Sequence, residues 1–242
     1  MKKLLLMIFL LLPTASFAGI SFFTPEMTHT VSSTLFLDTS TGFTPYPDAT
    51  HVLIPSGALS YSFEVPEFLG ETGARFSAKT VDFVTRTVYW PKLGNYFNAG
   101  VGATYHFLAY KDAFFEQDVL AGVFVKFTFG AFTVSNDFNY FFKWTNVYAS
   151  SMPHIKNHSI ALSGTWSWFV LNHLDFYFSF SSYELWHYSL FFSPNFTTGF
   201  DWRFDFGLIL GMEFTMQFFD FMAVSAYFDH AEIRVLAKWE FK

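Results

Sequence analysis

His187 and Ser189 stand two residues apart in His187-Tyr188-Ser189, a spacing that places both side chains on one face of an extended strand. A serine becomes a nucleophile when a base within hydrogen-bond reach takes its proton and a third group orients that base. Asp201 follows twelve residues after Ser189, across a segment that reads as a loop, and is the acid available to orient His187. The chemistry on offer is acyl transfer from an ester. A second constellation is a set of charges that shares one parity of extended chain: Lys126, Asp137, Lys143, Asp201, Arg203, Asp205, Arg234 and Lys238. Such a set either fills a small interior with ion pairs or lines a hydrated pore and selects solutes. No metal site is expected, because His154 and His158 are four apart but follow Pro153 in a loop, which argues against the helix such a pair needs. No cofactor is expected either, since "GVGATYH" lacks the third glycine of a phosphate-binding loop.

The elements that carry these residues alternate with a period of two. In "LDFYFSFS", Leu174, Phe176, Phe178 and Phe180 face one way, and Asp175, Tyr177, Ser179 and Ser181 the other. Phe97 to Ala109 repeats the pattern with Asn98, Gly100, Gly102, Thr104 and His106 on the polar face and Leu108 out of place. Val119 to Phe129 has Leu120 and Phe124 as exceptions, and Phe132 to Trp144 has Asn136 and Phe141. Phe200 to Leu210 reads as one further run, with Asp201, Arg203, Asp205 and Gly207 on its polar side.

Aromatics make up 23% of the chain, with 37 Phe, and only 14% of residues are charged. An average soluble protein carries about 25% charged residues. Yet nothing after the first 18 residues offers the ~18 unbroken apolar residues of a membrane helix; Phe206 to Val224 is interrupted by Glu213, Gln217 and Asp220. A barrel in lipid satisfies both facts, because its apolar residues alternate with polar ones. The fold expected is all-β: a transmembrane, antiparallel, up-and-down β-barrel. Twelve strands are favoured, with ten as the alternative if the first hairpin lies outside the wall.

Residues 1–18 read as a secretory signal peptide. Lys2 and Lys3 precede an apolar run from Leu4 to Leu12, and Ser16-Phe17-Ala18 is a small-x-small cleavage site. Residues 19–242 then form a single barrel domain. Removing the two lysines takes the net charge from −6 to −8, which argues against nucleic acid as a partner. With no cysteine, disulfides and thiolate metal sites are excluded.

The last strand, Ile233 to Phe241, sets Ile233, Val235, Ala237, Trp239 and Phe241 opposite Arg234, Lys238 and Glu240, with Leu236 the exception. This pattern resembles the C-terminal assembly signal of bacterial outer-membrane barrels, except that Lys242 follows the final aromatic. The resemblance implies membrane lipid and the barrel-assembly machinery as partners, and the outer membrane as location. The His-x-Ser pair with an acid twelve residues on is similar to outer-membrane phospholipase A and lipid A deacylases. That resemblance implies Ser189 as nucleophile, His187 as base and Asp201 as orienter. The chain departs from it at Leu190-Phe191-Phe192, where those enzymes have small polar residues. Their sites also face lipid, whereas alternation from Leu174 puts His187 and Ser189 on the polar parity.

Short turns are expected at Glu213–Gln217, Phe169–His173, near Gly130 and at Pro91–Gly94. Long connections are expected at His187–Thr197, Asn146–Asn157, Lys111–Asp118 and Pro66–Gly73, with a tight final hairpin at Phe228–Ala231. Near the N-terminus, Thr28 to Asp38 reads as a strand. His51 to Pro55 reads as a short piece turning at Ser56-Gly57 into Ala58 to Val65. The function expected is a narrow, porin-like channel for small solutes. The alternatives are a lipid hydrolase using Ser189, and a structural or adhesive barrel acting through its external loops.

Overall fold

The computed structural model describes residues 27–38, 54–77, 80–91, 93–94, 96–110, 115–146, 158–182, 194–219 and 227–241. His187 and Ser189, the first 26 residues and the greater part of the long connections lie outside these. The described residues form twelve strands: β1 (Thr28–Asp38), β2 (Ile54–Val65), β3 (Phe68–Ser77), β4 (Thr80–Tyr89), β5 (Phe97–Tyr110), β6 (Phe115–Phe129), β7 (Phe132–Thr145), β8 (His158–Leu171), β9 (Leu174–Ser181), β10 (Asn195–Arg203), β11 (Leu208–Phe219) and β12 (Tyr227–Phe241). Each pairs antiparallel with its sequence neighbours, and β1 pairs with β12, so the sheet closes on itself. Closure leaves no unpaired edge, the condition for a sheet to stand in lipid.

The alternation read from the sequence is the alternation of the wall. Outward residues such as Leu59, Val101, Ile160 and Phe138 are exposed, whereas residues of the opposite parity are buried or half-buried. Every Lys and Arg of the twelve strands lies on the inner parity. That distribution matches a membrane wall, where Lys or Arg facing lipid costs about 2–4 kcal/mol at the midplane. The aromatic stretch Leu174 to Ser181 is β9, its Phe ladder outward. Phe178 stacks on Trp166 of β8 at 5.4 Å and on Phe196 of β10 at 6.0 Å.

Leu120, Phe124, Phe141 and Leu108, which broke the alternation, are inward and buried. Three of them join apolar clusters instead of meeting lipid: Leu120 and Phe141 pack with Ala161, and Phe124 with Val88 and Trp90, with Leu69 against it. The inner face of β3–β8 therefore carries two apolar patches.

Several expected connections are corrected. Glu213–Gln217 is not a turn but lies inside β11; the chain reverses earlier, at Phe204–Gly207, where Gly207 has φ 91°. An added Cβ there meets the Glu240 carbonyl at 2.4 Å, so this turn needs glycine for both conformation and space. The run Phe200 to Leu210 is accordingly two strands. Pro66–Gly73 is not a long connection but a two-residue turn at Pro66-Glu67 leading straight into β3. Proline supplies the φ that the first turn position requires. Ser56-Gly57 lies within β2, and Phe228–Ala231 within β12. Twelve strands nonetheless result. Ile54 and Pro55, the described part of the piece expected at His51–Pro55, open β2, and the stretch between the expected connections at Pro66–Gly73 and Pro91–Gly94 holds the end of β3 and all of β4.

The turns joining β2–β3, β6–β7 and β8–β9 are two residues long, and the β6–β7 turn places Gly130 at φ 58°. They share one end of the barrel with the start of β1 and the end of β12. The β4–β5 connection, residues 90–96, is at this end too, while the connections at 39–53, 146–157 and 182–194 leave from the other rim.

Candidate lumen charge network

The inward charges are held in four groups. At the turn end, Arg203 donates to Asp175 at 2.9 Å and to both oxygens of Glu240 at 3.0 and 3.2 Å. Beside them Lys238 of β12 meets Asp201 of β10 at 2.7 Å. The intervening residue of β11 is Gly211, where an added Cβ would lie 2.2 Å from Asp201 Oδ1. A side chain there would break the pair, and glycine leaves it room to cross.

The same device recurs one step higher. Tyr177 of β9 reaches over Gly199 of β10, whose Cβ would meet the Tyr177 hydroxyl at 2.8 Å, and donates to Glu213 of β11 at 2.6 Å. Arg234 contacts Glu213 at 3.2 Å and also binds Glu232. Glu232 in turn accepts from Arg75 of β3 at 2.7 Å, and Arg75 donates to Ser56 at 2.9 Å. The Phe36 ring lies beneath both guanidinium groups, 4.0 Å from Arg75 and 5.4 Å from Arg234, within cation–π range. One chain of contacts thus joins β9, β11, β12, β1 and β3. Tyr177→Phe removes one charge-assisted bond while leaving Glu213 with Arg234. The expected loss of stability is about 1–2 kcal/mol, read from the urea midpoint of the barrel refolded in vesicles.

On the opposite wall, His106 of β5 contacts Asp82 of β4 at 2.5 Å and Asp118 of β6 at 3.2 Å, one carboxylate on each ring nitrogen. Lys143 of β7 is bound to Glu116 and lies 4.0 Å from Asp118. Glu116 and Asp118 are fully buried. The fourth group is Arg86 of β4 with Asp137 of β7, where Arg86 Nη2 lies 2.9 and 3.0 Å from the two carboxylate oxygens. Ser163 donates to Asp137 at 3.4 Å.

Of the charges singled out from sequence, Lys126, Asp137, Lys143, Asp201, Arg203, Arg234 and Lys238 lie on the inner parity. Lys126 sits over the Trp90 ring at 5.9 Å. Asp205 does not join them: it belongs to the Phe204–Gly207 turn, its side chain 93% exposed and 3.7 Å from His173. The sequence reading puts Asp175 and Glu240 on the polar parity without counting them among the lumen charges, and it misses Arg75, Arg86, Asp82, Glu116, Asp118, Glu213 and Glu232. Arg75 of β3 and Arg86 of β4 fall between the connections expected at Pro66–Gly73 and Pro91–Gly94, a stretch in which the sequence shows no turn. In β4 the signal is also weak, since Val84 and Val88 point inward while Thr85 and Thr87 point outward.

His187 and Ser189 lie outside the described residues. Asp201 pairs with Asp175, at the turn end of β9, whereas the connection that contains His187 and Ser189 leaves β9 after Ser181. The strand rise from Asp175 to Ser181 is roughly 20 Å, and Asp201 is already bound to Lys238.

No protein-family model matches this sequence, nor does any curated protein. Solved structures share its fold. KdgM porin, solved in complex with disordered oligogalacturonate, superposes with a TM-score of 0.60 at 8% identity, covering 88% of this chain and 99% of that one. NanC porin gives 0.60 at 8% identity, covering 86% and 98%. An outer-membrane channel from Pseudomonas putida F1 gives 0.53 at 10% identity, covering 93% and 99%. At these identities the likeness shows a shared barrel fold.

Proposed function

We propose that this chain is a narrow, passive channel for small solutes in a bacterial outer membrane. The observation that carries the reading is a closed twelve-strand wall, apolar outside, with a polar and charged inner face accessible to water. Twelve strands lie between the eight that side chains just fill and the sixteen that leave a wide channel. Placement in the outer membrane follows from the barrel, the leader-like residues 1–18 and the aromatic final strand. That strand is the segment we assign to the assembly machinery, and membrane lipid contacts the outer face.

The lumen favours anions. In its Arg and Lys pairs, Arg203–Glu240 excepted, the cation is the better exposed partner: Arg75 is 31% exposed against 5% for Glu232, and Lys238 24% against 9% for Asp201. A passing solute meets guanidinium and ammonium groups before the carboxylates behind them. A ring of such cations is a recognised basis for anion preference. KdgM porin, which shares the fold, has been solved with an acidic oligosaccharide, and this supports a carboxylate-bearing solute class here.

The test is recording from the purified, refolded protein in planar bilayers. Discrete conductance steps are expected, with a reversal potential of the anion-selective sign under a KCl gradient. Silence across repeated insertions overturns the channel. The rival reading, hydrolysis of phospholipid or lipid A by Ser189 with His187, has less support because Asp201 is engaged elsewhere. Fatty-acid release abolished by Ser189→Ala would revive it. A barrel acting only through its loops would show neither conductance nor hydrolysis.

A further inference from the structure

Arg86 and Asp137 belong to strands three apart in the ring, β4 and β7, yet they are in direct contact. Three strand spacings along the wall amount to roughly 14 Å. The pair takes the shorter path, across the chord of the curved wall. What lies between explains how it can. β5 and β6 present Gly102 and Gly122 inward at this level, directly paired with each other, so neither strand puts a side chain of its own there under the chord. Above the pair lies the apolar cluster of Leu120, Phe141 and Ala161, and below it that of Val88, Trp90 and Phe124. Low-dielectric surfaces on both sides strengthen the field of whatever charge sits between them.

The guanidinium is also only partly used. Nη2 meets both oxygens of Asp137, while Nε and Nη1 have no acceptor among the described residues. A guanidinium carries five N–H groups, so three remain for a ligand. The side chain is 31% exposed, and from the inner face that exposure is to the lumen.

We propose that Arg86 is the anion-selecting site of the lumen and that Asp137 is its built-in competitor. Together they form a charged bar that a solute's carboxylate or phosphate exchanges with as it passes. Ser163 keeps Asp137 on β8's side of the bar, ready to return. This rests on the channel reading and adds its selectivity element. The pair does two things that a wall charge does not: it narrows the passage, and its halves push selectivity in opposite directions.

The experiment records wild type, Asp137→Asn, Arg86→Gln and the double variant in planar bilayers, with chloride and gluconate as anions and polyethylene glycols of graded size as exclusion probes. Glu71 pairs in register with Arg86, so each is repeated on a Glu71→Gln background to remove a substitute partner. Asp137→Asn should raise the anion-to-cation permeability ratio several-fold, and Arg86→Gln should lower it below wild type. All three variants should admit a larger polymer. Conductance with neither variant moving the ratio or the size limit overturns the bar and leaves the channel standing. A silent wild type with a conducting double variant makes the pair a plug and overturns its role as a selecting site. Silence from all four overturns both.

Discussion

Lys143→Met is expected to destabilise the barrel by about 3–5 kcal/mol, because it leaves a buried carboxylate without its cation. Lys143 Nζ donates to Glu116, and both side chains are almost completely shielded, at 3% and 0% exposure. Asp118, also at 0%, has His106 at 3.2 Å as a second partner. The loss therefore falls chiefly on Glu116. Removing both charges together, as Lys143→Met with Glu116→Gln, should recover most of the stability, since a neutral pair carries no ionic desolvation penalty. The measurement is urea unfolding in phospholipid vesicles, followed by the fluorescence of the seven tryptophans. A single variant within 1 kcal/mol of wild type, or a double no better than the single, would show that this cluster contributes little.

This cluster also shows where the sequence was legible and where it was not. Parity alone placed Lys143 and His106 on the inner face, and β1 was read to the residue. Period two is a local property, set by which neighbours meet lipid, so it survives in the sequence. Partnership is not local. Arg75 meets Glu232, 157 residues away, and Arg86 meets Asp137, 51 residues away. Those contacts depend on barrel closure and on the number of strands between the partners. The exceptions to alternation carried information of another kind. Leu120, Phe124 and Phe141 looked like noise in a lipid-facing pattern, but they form the apolar lining on either side of the Arg86–Asp137 pair.

Turns failed for a comparable reason. Asp205-Phe206-Gly207 continues the alternation of its neighbours, so the hydropathy pattern runs through a chain reversal without a break. The glycine at φ 91° was the only local cue, and it had been assigned to the polar face. Conversely Pro66 is a strong turn signal but says nothing of turn length. Catalysis by Ser189 was argued from one short motif, and the fold contributes one relevant fact to it: the acid named as its third member is committed to Lys238 near the far end of the strand.

The second large effect is expected at Gly122. An added Cβ there would lie 2.0 Å from the Phe138 carbonyl oxygen and 2.6 Å from the Asn139 Cα. Both are backbone atoms of β7, so no rotamer change relieves the contact. Either β6 and β7 separate or the local curvature of the wall changes. Gly122→Ala should therefore cost about 3 kcal/mol or more, at the upper end of overpacking penalties. Gly122→Val adds further bulk at the arc that the Arg86–Asp137 pair spans. Gly102 is the informative control: its Cβ would meet nothing nearer than 3.4 Å, an ordinary contact. Gly102→Ala should keep the barrel's stability within about 1 kcal/mol and still intrude beneath the bar, altering conductance without unfolding. Comparing the two alanine variants by urea midpoint and by single-channel recording separates the two roles of the glycine pair. Equal destabilisation by both would mean that the close approach of β6 and β7 is not what requires glycine at 122.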